Sequence, residues 1–171
     1  MSVSEGGGVD GAPSLFALAM DSLLADIDGL VELLDNRELD GLDAAALVGF
    51  AQEFERVRNR LPMIDHRVIL ALDAADTATA FGQPNVGKVV AQALRISPAE
   101  AGRRIAAAKA VGPRTSMLGE ELAPIRPLLR AAQAAGDVTP DRVALIVTSL
   151  AAVDRAGFDP QGRGIPIQTG R

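Results

Sequence analysis

The cationic side chains of residues 88–114 are the densest group in this sequence that could do chemistry. The segment holds six bases against a single acid, Glu100. Guanidinium and ammonium groups bind phosphate oxygens, and guanidiniums also pair with guanine edges. We therefore expect duplex DNA as a partner, with a plain solvated basic face as the open alternative. The expected contacts come from Arg95, Arg103, Arg104, Lys109 and Arg114.

A second group, Gly82–Lys88, has the spacing of the phosphate-binding loop of nucleotide triphosphatases. That loop needs Ser or Thr after its lysine, because the hydroxyl holds magnesium, and it must follow a buried strand. Here Val89 follows the lysine, and residues 65–80 have a helical pattern. We therefore interpret the segment as a capped helix start and expect no nucleotide binding.

The rarity of cysteine and histidine restricts the chemistry further. The chain has no Cys and one His among 171 residues, which excludes disulfides, zinc–thiolate sites, thiol nucleophiles and multi-histidine metal centres. The single histidine, His66, has no Ser–His–Asp spacing around it, so we interpret it as a surface or helix-packing residue. We expect no enzyme activity, no metal, no cofactor and no small-molecule substrate.

Charge is distributed unevenly along the chain. Residues 1–55 hold twelve acids and one base, whereas residues 56–171 hold sixteen bases and ten acids. No apolar run is long enough to span a membrane, and residues 1–10 lack the basic start and apolar stretch of a secretory signal. We expect a cytoplasmic protein that does not enter membranes.

The elements that position the basic segment have the pattern of a helix-turn-helix unit. A helix over 88–94, a turn over 95–97 and a helix over 98–111 match that length and spacing. Ser97 followed by Pro98 and Glu100 is a typical helix start. The buried face of this unit is predicted to contain Val90, Leu94, Ile96, Ala101, Ile105 and Ala108.

Upstream, two stretches carry apolar residues at steps of three and four. The first runs from Phe16 to Leu34 and the second from Leu47 to Ala75, with a turn between them and Pro62 expected to kink the second helix. This pattern predicts an antiparallel helical hairpin or part of a coiled-coil dimer. The stripes form either the core of one bundle or a seam for a second copy or a partner helix. The candidate seam is Phe50, Phe54, Val57, Leu61 and Ile64.

The predicted fold class is all-α. A flexible tail over 1–12 precedes a helical domain over 13–156, and residues 157–171 are expected to be a disordered tail. Within the domain, a long heptad-patterned hairpin over 13–80 is followed by a bundle of three to four helices over 85–156. Gly136 is expected to end the penultimate helix, and Thr139 with Pro140 to start the last one.

Residues 94–112 resemble a signature of the 13E12-repeat family of actinobacteria. The resemblance is most specific in Ser97–Ala101 (Ser-Pro-Ala-Glu-Ala) with Arg103 and Arg104 following, and it continues weakly through residues 134–146. Residues 56–61 are similar as well, so the likeness covers about 15–155. It implies an N-terminal helical domain of unknown function (DUF222), which in full-length members precedes an HNH endonuclease domain.

The His-Asn-His residues and zinc cysteines of such a nuclease are absent here, and residues 157–171 do not follow the family pattern. The resemblance therefore implies a non-catalytic, truncated N-terminal part of an HNH-type protein, and the basic helix-turn-helix segment adds the expectation that it associates with DNA. The alternatives are a protein–protein interaction or oligomerisation domain using the heptad hairpin, or a non-functional gene remnant.

Overall fold

The structure, a computed structural model, describes residues 14–156. The described chain divides into two compact units, with the boundary between Phe50 and Ala51. The predicted tails over 1–12 and 157–171 lie outside the described residues. The all-α prediction is confirmed, because the described chain is helical except for one two-stranded hairpin of two residues per strand.

The first unit contains helix α1 (Leu15–Asp35) and the start of helix α2 (Ala44–Arg60). Both helices begin at a capping side chain. The Ser14 hydroxyl accepts from the backbone N–H of Ala17 at 3.1 Å, and the Asp43 carboxylate accepts from Ala46 at 2.8 Å. Helix α1 buries none of its residues. Its seam residues Met20, Leu23, Leu30 and Leu34 are half-buried, whereas Phe16 and Ile27 are exposed.

The second unit continues α2 and adds helix α3 (Pro62–Ala74) and the short helix α4 (Thr77–Ala80). Pro62 lacks a backbone donor, so the helical hydrogen bonding is interrupted before it. The interruption is one residue long, and Leu61 keeps right-handed helical angles (φ −54°, ψ −38°). The predicted single kinked helix is therefore divided into two helices, α2 and α3, at the proline and without an intervening loop.

The predicted order of helix, short turn and helix is present; the second helix has the predicted bounds, whereas the first begins two residues earlier and ends one residue earlier than predicted. Helix α5 (Val86–Ala93) is followed by a short turn and helix α6 (Pro98–Val111). The turn closes because Ile96 donates to the Ala91 carbonyl and Arg95 donates to the Gln92 carbonyl. This bonding places Arg95 in the left-handed region, at φ 54°. Leu94, predicted to be buried, is 48% exposed, because the turn directs it away from the core.

After α6 the chain forms a small hairpin that the sequence patterning missed. Strand β1 (Arg114–Thr115) pairs antiparallel with strand β2 (Glu121–Leu122). Strands this short carry no alternating pattern from which they could be predicted. Helix α7 (Pro127–Ala135) and helix α8 (Pro140–Ala156) complete the described chain, and Gly136 ends α7 in a left-handed conformation, as predicted.

Helix α6 is the centre of the second unit because its alanines let neighbours approach on two sides. One core cluster joins it to α3 and α5 through residues such as Ile69, Val90 and Ala101. A second cluster joins it to α7 and α8 through Val111, Val143 and Val147. Small side chains on both faces of one helix allow it to be sandwiched at close distance.

The apolar seam predicted on the second long helix does not face these clusters. The outer stripe, as we call it, remains half-buried or exposed, and it comprises Phe50, Phe54, Val57, Leu61, Ile64 and Val68. The residues that α2 and α3 bury are instead Asn59, His66 and Ile69. The interpretation of this stripe as the core of one bundle is therefore wrong for the second unit.

None of the helices within 14–156 is long and apolar enough to cross a membrane.

Candidate functional site

A cleft of about 310 Å³ opens between α3, α6, α7 and α8 in the second unit. Its walls combine apolar side chains, such as Leu61 and Val143, with polar and charged groups. That mixture is typical of ligand sites, in which apolar walls supply contact area and a few polar groups supply orientation. The polar lining consists of Arg58, Asp65, His66, Glu100, Arg103, Arg104, Gln133 and Asp141.

Gln133 is the most unusual member of this lining. Its side chain is only 1% exposed, and neither its amide nitrogen nor its amide oxygen has a hydrogen-bond partner among the described residues. Buried amides in folded proteins are normally hydrogen-bonded, because an unpaired group loses its hydration without compensation. One donor group and one acceptor are therefore buried at the wall of the cleft without a partner among the described residues.

His66 lies on the α3 wall of the cleft and is 4% exposed. Burial lowers its pKa from the ordinary value, since the imidazolium is poorly solvated there. Asp65 opposes that shift and the Arg130 guanidinium adds to it. His66 is therefore a neutral imidazole at pH 7, which agrees with the helix-packing interpretation and excludes the surface one.

The rim of the cleft is an ion-pair cluster that joins α3 to α6. The Glu100 carboxylate accepts from Arg104 Nε at 2.9 Å and from Arg103 Nε at 3.0 Å. Arg104 also lies 3.7 Å from the Asp65 carboxylate. The hydrogen bond from Arg104, with the contribution of Arg103, lowers the pKa of Glu100, although partial burial opposes the shift. Two of the five predicted DNA-contacting cations thus share one internal carboxylate.

The other predicted cations are dispersed. Lys109 forms an ion pair of 3.2 Å with Asp73 on α3. At 3.6 residues per turn it lies roughly 120° or more around α6 from Arg103 and Arg104. Arg95 is exposed in the turn before α6, and Arg114 donates to the Ala123 carbonyl at 3.3 Å within the hairpin. The five cations therefore do not form one continuous stripe on the described surface.

A second, smaller cavity of about 290 Å³ shares Arg58, Pro140 and Asp141 with the cleft. Asn59 lies in its lining and donates from Nδ2 to the Gly136 carbonyl at 3.0 Å. The Oδ1 atom of Asn59 is buried and has no partner among residues 14–156. Two adjoining cavities therefore each contain an amide oxygen without a partner.

The seam residues of the outer stripe lie together along α2 and the start of α3. Val57, Leu61 and Ile64 are 54%, 42% and 40% exposed, respectively. Phe54 is also exposed and Phe50 is half-buried. Within the second unit, Val57, Leu61 and Ile64 thus lie on one exposed face.

The sequence analysis did not select Gln133, and it interpreted His66 only as a surface or helix-packing residue. The spacing of each residue nevertheless indicates a buried position. Gln133 follows Leu129 by four residues, the spacing of one helix face, so it shares the phase of that α7 core residue. His66 follows Asn59 by one heptad, opposite to the outer stripe. A polar residue in phase with a buried face is a candidate site residue.

The described part of the chain contains no group of three or more His, Cys, Asp or Glu side chains able to hold a metal ion.

Comparison with known proteins gives the family but no activity. Residues 49–158 match the family described as "Domain of unknown function (DUF222)". An uncharacterized protein of Mycobacterium tuberculosis strain H37Rv is 33% identical over 139 residues, which cover 77% of this chain and 30% of that protein. No solved structure gives a significant match.

Two further relatives are also uncharacterized proteins. One from the same strain is 31% identical over 137 residues, covering 80% of this chain and 58% of its own length. One from Mycobacterium bovis is 32% identical over 144 residues, covering 78% of this chain and 61% of its own length. The chain thus spans from about a third to three-fifths of the length of these relatives. Because the family match covers more than half of its residues, the chain belongs to the DUF222 family of domains of unknown function.

Proposed function

We propose that this chain is a non-catalytic helical module that associates with a second copy of itself through the outer stripe. The proposal rests on which faces of α2 and α3 are exposed to solvent. Their heptad-spaced aliphatic residues lie outside, while Asn59, His66 and Ile69 face the core. Exposed apolar residues in one contiguous row are typical of an interaction surface.

The charges beside the stripe favour a second copy in parallel orientation. With Phe54, Leu61 and Val68 at heptad position a, the flanking g position holds Glu53 and the flanking e position holds Arg58. In a parallel coiled coil, a g residue faces the following e residue of the other helix. Glu53 would then face Arg58 of the second copy.

Arg60 and Asp65 occupy the next g and e positions and also carry opposite charges, but Asp65 already lies beside Arg104 at the cleft rim. The Glu53–Arg58 pair therefore carries the argument that the surface would be complementary to itself, as a two-fold symmetric interface requires.

Sedimentation equilibrium over a range of protein concentrations tests this proposal. We expect a reversible dimer that Val57→Glu converts to monomer, because burying an unpaired carboxylate in the seam is costly. The matched control is Leu145→Glu on α8, since Leu145 is exposed but lies off the stripe. A wild-type chain that is monomeric at every concentration would contradict the proposal.

A charge exchange tests the orientation. Glu53→Arg should weaken the dimer by placing two cations together, and Glu53→Arg combined with Arg58→Glu should restore it. Failure of the double variant to restore association, with the helical content unchanged, would rule out the parallel register.

DNA association is the second candidate function. It is favoured by the solvent exposure of several of the cations predicted to contact DNA. The side chains of Arg103 and Lys109 are 54% and 55% exposed, and Arg95 forms no ion pair among the described residues. Glu100 and Asp73 oppose phosphate binding, because they neutralise three of the five cations. Any contact with a nucleic acid must therefore displace or outweigh these internal pairs.

A salt series on duplex DNA tests this candidate. Phosphate contacts require the affinity to fall steeply with salt and to drop further in Arg103→Ala combined with Arg104→Ala. Glu100→Gln should strengthen binding, because it releases both guanidiniums from one carboxylate. Binding that responds to neither change would eliminate these residues as the contact surface.

The association with an HNH endonuclease domain belongs to this proposal only through the family resemblance. In a longer protein, a self-associating module would bring two nuclease domains together. Fusion of residues 1–156 to a heterologous monomeric reporter tests that role, because the fusion should become dimeric and Val57→Glu should abolish the effect.

A further inference from the structure

Helix α1 presents an apolar face that the other described residues do not bury. The face consists of Phe16, Leu24, Ile27 and Val31, whose spacing places them on one side of the helix. Their exposed fractions lie between 46% and 58%, and α1 buries none of its 21 residues. A helix in water obtains most of its stability by packing such a face against another element. These four residues, which we call the α1 face, therefore have the properties of an interaction surface.

The charges of α1 indicate what chemistry the partner of this face must have. The helix carries five acids and no base. Asp21, Asp28 and Asp35 recur at seven-residue steps, and at about 100° per residue they form a row along one edge of the α1 face, next to Leu24 and Val31. All three are exposed, and none of them forms an ion pair with another residue within 14–156. A partner therefore meets a row of uncompensated carboxylates.

These carboxylates are unfavourable for α1 itself. Asp28 and Glu32 lie four positions apart, where two like charges destabilise a helix. Glu32 and Asp35 lie in the last turn, which contains no base, and anions there face the negative end of the helix dipole. Cations on a partner would relieve both repulsions. A second α1 would add a row of the same sign, so the charges favour a basic partner over a second copy of this helix.

We propose that the α1 face binds a basic amphipathic helix of another protein, with cations of that helix in a row opposite Asp21, Asp28 and Asp35. A helix matches best, because its own cations can repeat at the same seven-residue interval of roughly 10.5 Å beside an apolar seam. The inference goes beyond the proposed self-association and does not depend on it, since the outer stripe shares no residue with the α1 face.

Titration of the full chain into a fluorescent synthetic helix tests the proposal. The chain has no tryptophan, so one tryptophan in the peptide reports the environment of the peptide alone. The probe has about three heptads, with leucine at a and d, the tryptophan at one d position, lysine at e and g, and alanine elsewhere. One control peptide has the same residues in scrambled order, and another has glutamate in place of lysine. We expect a saturable blue shift with the basic probe and binding about tenfold weaker or less with both controls.

Charge reversal of the acidic row should change which peptide binds. Asp21→Lys combined with Asp28→Lys and Asp35→Lys should weaken binding of the basic probe by about tenfold or more and should allow the glutamate peptide to bind. Lysine has a higher helix propensity than aspartate, so unfolding of α1 would not explain this exchange. The matched control makes the same change of charge at three exposed acids of the second unit, Glu120, Glu121 and Asp137, and should leave binding unchanged.

Two further variants separate this proposal from the proposed dimer. Ile27→Asp should abolish binding of the basic probe, whereas Val57→Glu, which disrupts the outer stripe, should leave it unchanged. Equal binding of the basic and scrambled peptides would overturn the proposal, as would unchanged binding in the triple lysine variant. The absence of a saturable shift up to the solubility of the basic probe would also overturn it. Self-association that Ile27→Asp abolishes, without any binding of the probe, would assign the α1 face to a second copy and overturn it as well.

Discussion

Asn59 on α2 donates a hydrogen bond of 3.0 Å to the main-chain carbonyl of Gly136, which lies 77 positions further along the chain. The bond joins the C-terminal half of α2 to the end of α7 and fixes one side of the cleft lining. It is buried, so little water competes for it. The contact is close because Gly136 has no side chain: a Cβ atom there would lie 2.5 Å from the Arg56 carbonyl oxygen.

Replacement of Gly136 should therefore be costly. Gly136→Ala places a methyl group against the α2 backbone and imposes a positive φ of 82° on an L-residue. We expect a loss of about 1–3 kcal/mol in the free energy of unfolding, measured by urea denaturation. Gly102→Ala is the control: a Cβ there meets nothing within 4 Å, and alanine should gain roughly 0.5–1 kcal/mol in the helix interior. Equal effects at the two glycines would contradict this packing.

The burial of His66 should make stability depend on pH. Its folded-state pKa is lowered below the ordinary 6.5, chiefly by burial, so the unfolded chain binds the proton first as the pH falls. Stability is therefore complete above pH 6.5 and is lost as the pH falls from there through the folded-state pKa. The slope cannot exceed about 1.4 kcal/mol per pH unit.

Urea denaturation at a series of pH values measures that slope. His66→Asn should flatten it, and since the chain has no other histidine, the flattening would be specific. A wild-type slope that His66→Asn leaves unchanged would show that this group does not titrate differently in the two states.

The unpaired amide of Gln133 predicts an unusual response to an apolar substitution. Gln133→Leu should leave the free energy of unfolding unchanged or raise it by about 1 kcal/mol, because it removes the cost of a buried group without a protein partner. Thermal and urea unfolding measure the change, and Gln92→Leu, at an exposed site, should stay within about 0.5 kcal/mol. A loss above 2 kcal/mol would mean that the amide makes stabilising bonds in solution.

Arg95 holds a left-handed position that glycine would occupy without strain. Arg95→Gly should stabilise the chain by about 1 kcal/mol, because the turn between α5 and α6 requires its φ of 54°. Arg67→Gly, in the interior of α3, should instead destabilise by a similar amount. Chemical denaturation of the two variants gives opposite shifts in midpoint if the turn is as described. DNA binding measured on Arg95→Gly would also show whether this cation contributes to it.

The amino-acid sequence by itself determined the starts of α6 and α8 and the end of α7. The Ser97 hydroxyl accepts from Glu100 at 3.1 Å and the Thr139 hydroxyl accepts from Arg142 at 3.3 Å, so the predicted helix starts are confirmed. Capping, proline geometry and left-handed glycines act over a few neighbouring residues, and therefore the sequence alone is sufficient to find them. The family resemblance over the Ser97–Ala101 block is likewise a property of the sequence, and the match over residues 49–158 confirms its DUF222 part.

Tertiary structure alone decided which face of each helix is covered and which charges are compensated. The heptad spacing of Val57, Leu61 and Ile64 is the same whether the stripe is buried or exposed. The stripe is exposed because α3 packs on α6 through its opposite face, where Ile69 contacts the alanines of α6. Glu100 was predicted to complete a capping box, yet its carboxylate accepts from Arg103 and Arg104. Periodicity and local composition describe one helix at a time, whereas burial and ion pairing depend on residues brought together from distant parts of the chain.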